Sequence, residues 1–456
     1  MTTEEESLVG MGRESMTDGC SEWEWVVDVK KMLADNNLQS RRMEEKRWEA
    51  QSVYLVPEWL KGKNTEAYQP RLVSLGPFHH GDPNLLPMEE HKRRALVQLI
   101  KRSKKPLQDF ISAINDVAGE LEAAYGKDLD GNWRDDRRRF VDVMLTDGCF
   151  LLEIMRKPSQ DYEPHHPVFS EHGRRGMFPL IRSDMLLIEN QLPLLLLKKI
   201  LGVLPSDYLQ VEMDHSEKQE EVNFEKTINL MVLKYLYGAD EGHDVADMSL
   251  RHHPLELYHG SLTHVNGAAC EVVSKECKYE MMPSALEIHE AGIKFRQSKT
   301  DKLQDIHFER GVLSMPMMRV DEGTESLYLN LMAFERLHIG TGDLVTAYVS
   351  FMDDMIVSAK DVAMLSSSGV LENMLGCDEE AAQLFNGTLS SGQRLGPCYD
   401  LHRVQCEVHA YCRQWWPTIK STYFKNPWAS VSLAPAAILF IATLLQTVYT
   451  VMANKS

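Results

Sequence analysis

The chain has 456 residues, 43% of them hydrophobic and 25% charged, an ordinary globular composition with room for one large domain or two. Its formal net charge of -18 argues against the basic face that a nucleic-acid footprint needs. Eight cysteines, at 20, 149, 270, 277, 377, 398, 406 and 412, are too scattered for a disulfide framework and read as reduced thiols.

Residues 1–21 are acidic and lack apolar periodicity, so they read as disordered, and they show no basic and apolar signal regions. Helices are predicted from Trp23 to Ala34 and from Gln39 to Ala50. Between Tyr54 and Leu96, Pro57, Pro70, Pro77, Pro83 and Pro87 cut the chain into extended pieces and turns. Leu107, Phe110, Ile111, Ile114, Val117 and Leu121 recur at helical spacing, and Phe140 to Met155 reads as a deeply buried helix. Residues 157–180 read as an exposed connection. Ser183-Asp184 should then cap an apolar helix over 184–201 that Pro193 kinks. Phe224 to Tyr237 predicts another helix, and 238–249 a loop. Alternation in LEIHEAGIKFR, IHFERGVLSMPMM and SLYLNLMAF predicts three or four short antiparallel strands within 284–335. Helices resume over Val345–Ser358, Asp361–Leu375 and about 400–416.

Trp428 to Met452 contains no Asp, Glu, Lys, Arg or His. As a helix it would be about 37 Å long, more than the ~30 Å hydrocarbon core of a bilayer. Trp428 and Tyr449 sit near its ends, where amphipathic rings favour the membrane boundary. The expectation is a transmembrane helix over 428–452, behind a juxtamembrane linker over 417–427. Arg413, Lys420 and Lys425 precede the run and Lys455 follows it, which places the large domain in the cytosol. Asn386-Gly387-Thr388 is a glycosylation acceptor that would matter only on the opposite side.

Several stretches together resemble the plant domain of unknown function 247 family. They are VPEWL (56–60), AYQPRLVSLGPFHHG (67–81), LPMEEHKRR (86–94), DGCFLLE (147–153), DMLLIENQLP (184–193), SALEIHEAGIKF (284–295), LYLNLMAFE (327–335) and 348–376. The match runs in order from about Tyr54 to Val451. The resemblance implies UPF0481-like single-pass membrane proteins of land plants without assigned catalysis. Some grass members are self-incompatibility determinants, which would imply recognition of another protein. The motif positions to follow are Pro57, Pro70, Gly76, Pro77, His79, His80, Met88, Glu89, His91, Asp147, Glu189, Asn190, Gln191 and Pro193.

His79, His80 and Asp82 share one turn, as metal ligands can, yet ligands more often come from two elements. Glu89, Glu90 and His91 open a helix, where carboxylates favour the positive dipole end. Glu189-Asn190-Gln191 lies among leucines, so polar side chains should be buried there. A hydrogen-bonded latch on the extended 54–80 segment accounts for them, and a raised-pKa catalytic carboxylate is the alternative. Cys406, His409 and Cys412 leave zinc, packing and palmitoylation open. The basic clusters 101–105 and 137–139 are solvated faces, or lipid contacts if both face one bilayer. No nucleotide-binding, serine-hydrolase or zinc-protease motif is present in the sequence.

The sequence therefore predicts an α+β, predominantly α-helical domain over 22–416. It has a small antiparallel β meander and a C-terminal transmembrane helix. The expected role is recognition of another protein from a membrane, with lipid held through 428–452 and no cofactor, metal or nucleic acid. The alternative is a membrane-tethered enzyme using a polar pocket near Glu189.

Overall fold

The computed structural model describes residues 24–34, 38–62, 64–156, 161–205, 224–238, 249–263, 281–389, 399–413, 435, 438–443 and 445–446. The chain divides into two compact units, Met1–Ala50 and Gln51–Ser456. The first contains the helices Glu24–Ala34 and Leu38–Ala50.

In the second unit, the described residues of 51–85 form no β-ladder: irregular chain, bends and turns are broken by the one-turn helix Glu58–Lys61 and a 3-10 turn Thr65–Tyr68. Val53, Val56, Tyr68, Val73 and Leu75 from this segment are buried in the core. The helices Leu86–Ser103 and Arg137–Met155 then pack side by side and parallel. Arg93 meets Asp142 and Arg102 meets Glu153 along them. Leu194–Val203 closes on the second helix at Gly148, where a Cβ would lie 2.6 Å from Ile200 Cδ1. The predicted helix over 107–121 is two, Leu107–Asn115 and Ala118–Tyr125. Phe224–Tyr237, Pro254–Thr263, Leu344–Met355, Ala359–Ser367 and Tyr399–Cys412 supply further helical packing.

The structure departs from the sequence expectation at three places. Residues 171–184 form a helix that ends at Asp184. Residues 185–193 are irregular and Pro193 precedes the next helix, so Pro193 kinks nothing. Proline is favoured at such a start because its fixed φ suits the helix entrance. Next, the β region is smaller and mixed. β1 (Lys294–Gln297) runs parallel to β3 (Val312–Met315), β2 (His307–Glu309) is antiparallel to β3, and the order is β1-β3-β2. Arg310 and Gly311, both at positive φ, make the two-residue turn that joins β2 to β3. β4 (Met318–Val320) pairs in parallel with β5 (Leu371–Asn373). LEIHE and SLYLNLMAF are helical instead, within Ala285–Glu290 and Thr324–Leu337.

The third departure is at the expected membrane span. Among the described residues no helix is long and apolar enough to cross a bilayer. A span needs about 20 consecutive helical residues, and an uncharged composition by itself does not supply them. The predicted transmembrane helix, the membrane localisation and the cytosolic placement deduced from its flanks fall with this finding. Trp428, Tyr449, the 417–427 linker and residues 1–21 lie outside the described residues.

Candidate functional site

The family-like motifs converge on the backbone of residues 56–76. Pro70 and Pro77, which have no N–H to donate, bracket a run of amides that no β-ladder satisfies. Side chains accept from them instead. Asp184 takes the amides of Arg71 (2.9 Å), Leu72 (2.8 Å) and Val73 (2.8 Å). Asn190 Oδ1 accepts from Leu75 N at 2.7 Å, while its Nδ2 donates to the carbonyls of Val73 and Asp184. Asp147 accepts from Gly76 N at 2.8 Å. Further along, Asn330 donates to Ala67 O and accepts from Ile188 N, which ties the segment to the Thr324–Leu337 helix.

Gly76 sits at φ +77°, and a Cβ there would lie 2.6 Å from the Tyr125 hydroxyl and 3.1 Å from Gln191 O. Tyr125 donates to that same carbonyl. Gln191 spends its amide on Met185 O, Leu187 O and Leu255 N, holding the irregular 185–193 turn in shape. Glu189 reaches the other end of the segment, where its Oε1 accepts from Val56 N (2.7 Å) and Lys61 Nζ (2.9 Å). Pro57 caps the short helix between them.

Charge in this clasp is heavily desolvated. Burial raises the pKa of Glu189 and of Asp184, against the pull of Lys61 on the one and three amides on the other. Asp147 is pushed up to about 6 by burial, although fully buried Lys92 contacts it at 2.6 Å. Lys92 also contacts Glu89 at 2.6 Å, and Ser74 Oγ bridges the two.

The histidines of the motif part company. His79 Nε2 is 3.6 Å from Glu189 Oε2, and burial pushes its pKa down to about 4, so it is neutral at pH 7. His80 turns the other way, edge-on to Trp133 at 5.6 Å, while Asp82 accepts from Asn84 N. Met88 is core, and Glu90 pairs with Arg94 at the surface. His91 lies edge-on to His166, 5.1 Å between ring centroids. Among the described residues no group of three His, Cys, Asp or Glu is placed to hold a metal ion. His409 Nε2 donates to Met281 O at 2.7 Å, and Cys406 is disulfide-bonded, unlike the free thiols predicted for it. Cys149, Cys377 and Cys412 are free. The basic clusters sit at opposite ends of the parallel helix pair, with Arg102 engaged by Glu153 and Arg139 over the Trp133 ring.

Lys61, Lys92, Tyr125, Asp184 in this role and Asn330 were missed in the sequence. Asn330, lone and polar in LYLNLMAFE, carried the same signal as Glu189. The others reach partners tens of residues away and left no local mark.

The sequence profile of a plant protein family of unknown function, domain of unknown function 247, matches residues 53–442. The chain belongs to this family. Within it, the chain is similar to a UPF0481 protein of Arabidopsis thaliana, 26% identical over 429 residues, covering 88% of this chain and 86% of that protein. A putative UPF0481 protein of the same plant is 23% identical over 514 residues, covering 93% and 94%. No solved structure matches. The family match begins at residue 53 and so takes in the clasped segment from Val53 onward.

Proposed function

We propose that this member of the domain of unknown function 247 family recognises another polypeptide, and that the clasp is the rigid platform for doing so. The observation that carries the reading is Trp59. It is 64% exposed, yet Val56 and Lys61 on either side are bonded to buried Glu189. A large aromatic held outward on immobile backbone loses little entropy on binding, which is how interface anchors work. Leu55 is exposed four residues earlier. Ile339 is 87% exposed next to His338, whose ring meets Tyr54. The buried carboxylates of the motif, meanwhile, are taken up by amides and lysines. Discrimination among variants of one partner, as a self-incompatibility determinant performs it, is the narrower form of this reading.

Position 59 is the place to test it. Trp59→p-benzoylphenylalanine, irradiated in plant extract, should give a discrete cross-linked protein product. The same label at Val97, also exposed but remote in sequence, should not. Leu55→Ser with Ile339→Ser should abolish the product at 59. Equal labelling from both positions, or a product insensitive to the double change, counts against recognition at this surface. A second reading, catalysis by Glu189 with His79, draws on the 3.6 Å approach of neutral His79 to Glu189 Oε2. It requires that Glu189→Gln abolish turnover of some extract metabolite that the native chain converts.

A further inference from the structure

Tyr54 and His338 immediately precede Leu55 and Ile339, and they touch. The Tyr54 hydroxyl donates to Gln51 O at 2.8 Å, so its oxygen is left to accept from His338 Nδ1 at 3.0 Å. Neutral His338 therefore carries its proton on Nδ1, and a second proton must land on Nε2. The His338 ring stacks on Phe334, with centroids 5.1 Å apart, and lies 5.9 Å from the ring of His252. His252 Nδ1 is 2.8 Å from Glu256 Oε2, a bond that raises its pKa.

The charged and titratable groups around His338 come from four places. The 251–263 stretch supplies Arg251, His252, His253, Glu256 and His259. The helix of His338 supplies Glu335, the following loop Asp343, and Asp128 lies beside the 51–55 segment. Three of these carboxylates already have partners. Glu256 holds His252 and Arg251, Glu335 holds His259 with the amides of Val345 and Thr346, and Asp128 accepts from Gln51. Burial opposes a proton on His338 most strongly; the Glu256 carboxylate pulls the other way, and His252 and His259 add to the opposition.

We propose that the Tyr54–His338 contact is an acid-sensitive clasp that sets the spacing of Leu55 and Ile339 on the recognition surface. As the pH falls, like charges on His338 and His252 part the 338–343 loop from the 51–55 segment, and the two apolar residues separate. The functional consequence rests on the recognition reading, whereas the movement itself does not.

Hydrogen exchange of the full chain at pH 7.5 and 5.5, corrected for intrinsic rates, tests it without a partner. Peptides over 51–56 and 337–343 should open on the order of tenfold more at pH 5.5, with the Leu107–Asn115 helix peptide unchanged. His338→Asn, whose amide can still donate to Tyr54 but cannot titrate, should remove the response. His252→Gln should shrink it. No acid response in the native chain, or an undiminished one in His338→Asn, overturns the proposal. Because cross-linking at 59 is a separate experiment, either idea can fail while the other stands.

Discussion

Gly76 shows how little freedom single positions have in the clasp. Its φ of +77° suits glycine, and a methyl there collides with the Tyr125 hydroxyl that donates to Gln191 O. Gly76→Ala should therefore cost about 2–3 kcal/mol, from strained backbone and the displaced tyrosine together, read as a shift in urea midpoint at constant slope. His253 gives a pH-dependent counterpart. It is fully buried, accepting from Glu256 N and bonded to Ser52 O, and its pKa is pushed down to about 4 by burial. In the unfolded chain it titrates near 6.5. Stability from this group is intact above pH 6.5 and is lost as the pH falls toward 4, because the unfolded state takes the proton first. Between pH 7 and 4.5 the loss is about 2–3 kcal/mol. His253→Gln cannot titrate, so its penalty in urea unfolding should be smaller at pH 4.5 than at 7 by that amount. His252, with its raised pKa, acts with the opposite slope and is unaffected by the comparison.

Among the elements, legibility tracked whether partners were local. The Phe224–Tyr237 helix and the β2–β3 hairpin appear where periodicity and alternation place them, because one turn or one hairpin contains the whole signal. Residues 326–334 carry a strand-like pattern although they lie in the helix Thr324–Leu337, since every residue from Tyr328 to Glu335 is buried, and a helix covered on all sides loses its 3.6-residue stripe. Ala285–Glu290 failed for a different reason. Ser284 and Glu287 form a capping box, a start signal visible in the sequence that alternation overrode. That cap accordingly holds the short helix in place, and Ser284→Ala should lower stability by about 1 kcal/mol in thermal or urea unfolding. Parallel pairing of β1 with β3 was invisible, since it depends on where the chain returns after the fourteen residues 298–311, β2 among them, and no turn residue encodes it.

At the level of the whole molecule, the amides of residues 56, 71–73, 75 and 76 are held by side chains rather than by a sheet. Neighbouring strands would ordinarily satisfy their amides, and here Asp184, Asn190, Asp147 and Glu189 do so from more than 70 residues away. Polar residues among leucines at 189–191 announced that something was held, and only the fold disclosed what. Each of those buried acceptors would be left without its amide if the segment were removed, at about 1–3 kcal/mol apiece. Val53, Val56, Tyr68, Val73 and Leu75 would leave the core as well. The sum rivals the ~5–15 kcal/mol that keeps a domain folded. Two truncations should consequently behave in opposite ways. A chain beginning at Gln51 keeps the second compact unit entire and should melt in one sharp transition within about 2 °C of the full chain. One beginning at Leu86 should show no cooperative melt and should bind a hydrophobic dye at room temperature. A sharp transition in the shorter chain would mean that the side-chain acceptors find other partners, and that the segment is a passenger on the helical body.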